Sequence, residues 1–153
     1  MQTVTKLPVG IKLIIAFHLL NILLWTIGQG GAIIAYDTVA QWGLQAPRDL
    51  INPTLVEVNR GIGLADMIIL IPIFIIAVIG LWQRKFYGAV ASWLALGMTL
   101  YWPIVFICSQ YLFGRAEIKY VSTSFSTIVI LSIILIFSIW AILYLMKNHK
   151  KLN

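Results

Sequence analysis

The chain has 153 residues, and few of them carry acid–base or metal-binding chemistry: five acids, two histidines and one cysteine. One acid, Asp66, is the single ionisable group in the run Ile62–Trp82, IGLADMIILIPIFIIAVIGLW. A charged group in hydrocarbon costs about 2.5–3.5 kcal/mol on insertion scales, so it calls for a partner or a wet cavity. Such a carboxyl can anchor a cation, accept hydrogen bonds or carry a proton. Glu57 falls on the opposite side of the same helix from Asp66, which speaks against a paired-carboxylate site. It is spaced instead to pair with Arg60 three residues on.

His18 begins a polar stripe, His18, Asn21, Trp25 and Gln29, whose spacings of three, four and four place it on one helix face. That face is expected to point into a bundle. Asn21 and Gln29 there either bond neighbouring helices or line a cavity. A zinc site needs three or four ligands from Cys, His and carboxylate. The other histidine, His149, stands near the C-terminus, Cys108 falls at the far membrane face, and neither HExxH nor HxxxH occurs. No metal and no cofactor are therefore expected. The lone cysteine rules out an internal disulfide and a CxxC redox pair.

The elements that must position these groups follow from composition. Hydrophobic residues make up 61% of the chain and charged residues 10%, against about 25% charged in a soluble domain. A span needs about 20 apolar residues, and four windows qualify, at about 11–35, 62–82, 87–113 and 124–146. Each is expected to be helical, because a lone strand leaves its backbone unpaired in lipid. The expected fold is all-α: four transmembrane helices in an antiparallel up-down bundle forming a single domain, residues 1–153. Its longest outer loop covers about 36–52. Asn52-Pro53 is a helix start, with Asn as cap and Pro in the first turn.

Charge placement sets the orientation. Lys6, Lys12, Arg84, Lys85, Lys147, Lys150 and Lys151 fall on one side, with no acid among them. Arg48, Arg60, Arg115 and Lys119 fall on the other, mixed with Asp37, Asp49, Glu57 and Glu117. Positive charge marks the cytoplasmic side, so both termini are expected inside, in a multi-pass protein of a prokaryotic cytoplasmic (inner) membrane. The net charge of +6 fits topology and anionic headgroups. It does not fit a nucleic-acid partner, since no basic run is long.

Counting about 1.5 Å of rise per residue from the inner ends brings Gln29, Asp66 and Trp102 to one layer, roughly 24–26 Å outward, with Thr99 and Tyr101 close by. Asn59, Gly63, Asp66 and Leu70 share a face. Pro72 and Pro103 each free a carbonyl within two turns of that layer. Small residues at Gly28/Ala32, Gly31/Ala35 and Gly61/Ala65 suggest close contact of the first two helices at the outer end. Gly88, Ser92 and Ala95 are placed to meet Ala77 and Gly80 at the inner end. GxxxG-like spacing equally suits a homo-oligomer.

The four-span plan is similar to that of several unrelated groups, among them small eicosanoid-type glutathione transferases and vitamin K-type quinone reductases. The cysteine pair of the second group is absent, and so common a plan carries no function across. Three functions stay open. The first is binding or transport of a small amphipathic or cationic ligand, or a lipid, in an outward-facing cavity. Asp66 would be the anchor, with Gln29, Asn21, Asn59 and Thr99 as polar wall and Trp25, Tyr101 and Trp102 as aromatic wall. The second is a structural or accessory subunit. The third, an enzyme acting on a lipid or quinone, is disfavoured because no nucleophile–base pair is visible.

Overall fold

The computed structural model describes residues 7–149 and 152. Lys6, Lys150 and Lys151 of the basic set lie outside them. Four helices are long and apolar enough to cross a membrane: α1, Val9–Gln41; α2, Pro53–Trp82; α3, Phe86–Arg115; and α4, Phe125–Asn148. No strand occurs among the described residues. The chain is thus built as a multi-pass, all-helical membrane bundle.

The helices run past their apolar windows because capping residues, not hydropathy, end them. Asn52 accepts from the Thr54 N–H at 2.9 Å, with Pro53 as the first helical residue. Ser124 caps α4 by accepting from Thr127. At the end of α1, Gly43 takes φ +74°. The N–H groups of Gly43 and Leu44 then bond the carbonyls of Ala40 and Val39, the paired bonds of a glycine-terminated helix. The loop joining α1 and α2, called the outer loop after the orientation expected from charge, as the two ends of the bundle are called outer and inner, is correspondingly shorter, 42–52, with one 3-10 turn at Arg48–Leu50. Arg84 ends α2 with the same two bonds at φ 57°, a conformation that strains a residue with a Cβ.

α1 is not one straight rod. It widens into a π turn at Thr26–Gly30 and loses helical geometry at Ala35, φ −144° and ψ 54°. The break frees the Ile33 carbonyl, and the Arg60 guanidinium of α2 donates to it at 3.0 Å. α2 carries a second π turn at Asp66–Leu70. Pro72, which has no N–H and whose ring crowds the carbonyl of Ile68, follows within two residues.

Packing is tightest at the end where Leu7 and Leu152 meet Ile11, Leu81, Ala89 and Leu145. Gly80 and Gly88 put the backbones of α2 and α3 in direct contact, so that a Cβ on either would run into the other. Ala77 and Ala95 are fully buried, which completes the inner seam. At the outer end the close approach is made by Gly63, which faces the Gln29 backbone. Gly61 faces no protein atom within 4 Å. α4 docks through Ser138, Ala141 and Leu145 and leaves Phe125, Ile128, Ile130 and Ile133 uncovered.

Candidate intramembrane site

The two π turns lie against each other. Wide turns of this kind interrupt the regular backbone bonding and concentrate at functional positions. At Asp66–Leu70 the Ile71 N–H reaches five residues back to the Asp66 carbonyl. The widened turn begins at Asp66, whose residue is only 5% exposed. Its Oδ2 accepts from Trp25 Nε1 at 3.1 Å, across from α1. Trp25 is the one hydrogen-bond donor to this carboxyl among the described residues, and none of their ion pairs includes it. Among the described residues the carboxyl thus has a neutral donor and no counter-ion.

Asp66 also borders a cavity of about 400 Å³ between α2 and α3. Ala65, Ile69, Leu70 and Ile73 form one wall, and Trp93, Leu94, Gly97 and Met98 the other. Asp66 is the one ionisable residue on that lining. Ile69, Leu94 and Met98 are open on the membrane-facing side. The indole Nε1 of Trp93 is buried without a hydrogen-bond partner among the described residues.

Comparison of the chain with protein families, curated proteins and solved structures finds no match.

Of the residues singled out by spacing and depth, Trp25 and Asp66 are brought together. Gln29 sits one turn further out, where its Oε1 accepts from Gln45 of the outer loop at 3.4 Å. Asn21 is buried and donates to its own helix, to the Phe17 carbonyl at 2.8 Å. Thr99 does the same toward Ala95. Tyr101 is 60% exposed on the outside of the bundle, Trp102 is half-buried, and neither borders the cavity. Asn59 lies beside the Tyr36 hydroxyl, nearer the outer loop. Spacing did not single out Trp93, Leu94, Gly97 or Met98. Gly97, a glycine deep inside a helix with no small partner expected, was the one available signal.

His18 forms a separate polar point in the inner half. It is fully buried, its Nε2 lies 3.1 Å from Ser92 Oγ on α3, and Phe74 of α2 covers its ring at 5.3 Å. Ser92 spends its proton on the Gly88 carbonyl at 2.7 Å. The hydroxyl can then only accept from His18, which puts the ring proton on Nε2. No three metal-ligating side chains gather anywhere among the described residues.

The outer end holds the ion pairs. Arg48 pairs with Asp37 at 2.8 Å and Glu57 at 3.8 Å, and its guanidinium lies 4.5 Å over the Tyr36 ring. Arg60 pairs with Glu57 at 2.8 Å, the pairing expected from their spacing. The Tyr36 hydroxyl donates to the Ala46 carbonyl. These contacts fasten the outer loop over α1 and α2, away from Asp66.

Proposed function

We propose that this chain binds or carries a small amphipathic or cationic ligand at Asp66, inside the membrane. One observation carries the reading: Asp66, nearly buried, its carboxyl held by a neutral indole and without an ion-pair partner among the described residues, borders an apolar cavity. An uncompensated carboxylate in low dielectric gains most from a ligand that brings a positive charge. The apolar walls suit the ligand's hydrocarbon part. Lys12, Arg84, Lys85 and Lys147, at the end where Leu7 and Leu152 pack, support placing that end in the cytoplasm, as in a prokaryotic inner-membrane protein.

The test uses the purified chain in lipid nanodiscs. Octylamine is titrated calorimetrically, with octan-1-ol as its uncharged counterpart. Asp66→Asn is expected to weaken octylamine about ten- to a hundredfold, the loss of one charge-assisted contact, and to leave the alcohol unaffected. Equal octylamine affinity in both proteins removes the proposal.

A further inference from the structure

Glycine inside a helix is less favourable than alanine, so each one needs a reason. Most glycines of this bundle have one. Gly10 faces the Tyr144 ring, Gly63 the Gln29 backbone, and Gly80 and Gly88 each other. Gly97, in the middle of α3, has none: a Cβ there would meet no protein atom within 4 Å. The space it leaves is instead the cavity beside Asp66.

The position of Gly97 on that cavity is specific. Ile69, Leu94 and Met98 are 57%, 58% and 41% exposed, so the cavity opens sideways, between two helices and toward acyl chains. Asp66 and Ile73 are seven residues apart on the α2 wall, about 10 Å of helix rise. A headgroup at Asp66 therefore leaves room for a short alkyl chain lying along the groove past Gly97.

We propose that Gly97 is the specificity-determining position of the Asp66 site. Its bare backbone keeps the groove open to the bilayer, and the alkyl chain of a single-chain cationic amphiphile dissolved in the membrane lies across it. This rests on the binding role proposed for Asp66. A larger side chain at 97 occupies the space of the chain and leaves the carboxyl untouched.

The experiment measures octylamine binding in nanodiscs to the wild-type chain, Asp66→Asn, Gly97→Ala and Gly97→Leu, with thermal unfolding of each. Gly97→Leu is expected to weaken octylamine about tenfold or more, the equivalent of about two buried methylene groups lost. Gly97→Ala should fall between it and the wild type. The unfolding temperature of Gly97→Ala should match or exceed the wild type, because its Cβ meets no protein atom within 4 Å, and that of Gly97→Leu should not fall below the wild type if its side chain only fills the groove. That readout separates a blocked groove from a damaged fold. If Gly97→Leu and Gly97→Ala bind as the wild type does while Asp66→Asn does not, Gly97 has no such role and the Asp66 reading stands. If Asp66→Asn binds as well as the wild type, both fall together.

Discussion

Removing the indole donor in Trp25→Phe should expose how much the Asp66 carboxyl depends on it. The bond spans α1 and α2 at 3.1 Å and is the carboxyl's one donor among the described residues. A hydrogen bond to an ionised group contributes about 1.5–3 kcal/mol and one between neutral groups about 0.5–1.5. For a chain of this length 1 kcal/mol corresponds to roughly 2–4 °C. Trp25→Phe should then lower the unfolding temperature by about 3–12 °C if the carboxyl is ionised. Part of any loss comes from the smaller ring, so the measurement is a double-mutant cycle with Asp66→Leu, read by unfolding in detergent. A coupling of about 1.5–3 kcal/mol is expected. The double variant should be more stable than additivity predicts, since replacing both partners by apolar groups leaves neither unsatisfied. A coupling under about 0.5 kcal/mol would refute the claim that these two side chains hold one another.

Two further substitutions probe the positioning elements. Ser92→Ala leaves the Nε2 proton of His18 without its acceptor in a fully buried place, and should destabilise by about 1–3 kcal/mol. Equilibrium unfolding checks this, and a change within a few tenths of the wild type contradicts the proton assignment. Gly80→Val drives a side chain into the Gly88 backbone and should cost more than about 4 kcal/mol, seen as loss of folded protein on size exclusion. The control Gly61→Ala, whose Cβ meets no protein atom within 4 Å, should be recovered folded.

Much of the frame was readable in the chain. The four apolar runs became four helices, Asn52-Pro53 and Ser124 start two of them, and the Ala77/Gly80 and Gly88/Ala95 faces pack as their spacing implies. The stripe on α1 does turn inward at His18, Asn21 and Trp25. What stayed hidden has a physical cause. A π turn adds one residue to one turn and leaves the hydropathy pattern nearly unchanged, so neither wide turn shows in composition. Counting helix rise assumes a straight, regular rod. It aligned Asp66 with Gln29, whereas Trp25, four residues earlier on α1, reaches it; the wide turn at Asp66–Leu70 falls inside the count along α2. The cavity wall of Ile69, Leu94 and Met98 reads like any lipid-facing surface, because both are apolar. Gly43, by contrast, was a legible stop for α1 that the apolar window alone did not use.

The two ends of this bundle are held by different forces. At the end where Leu7 and Leu152 pack, glycine backbones and aliphatic side chains touch directly, and dispersion does not respond to dissolved ions. At the other end the broken α1 is tied through the Ile33 carbonyl to Arg60, which is itself steadied by Glu57, while Arg48 bridges Asp37 and Glu57. Those partners are water-exposed, and their attraction weakens as the Debye length shrinks from about 10 Å at 0.1 M to 3 Å at 1 M salt. Ionic strength therefore weakens the attractions that tie this pole, and leaves the apolar contacts of the other in place. It can slacken the joint at Ala35 and the loop above it while the opposite pole stays clasped, so the protein has a built-in order of loosening, from its charged rim inward.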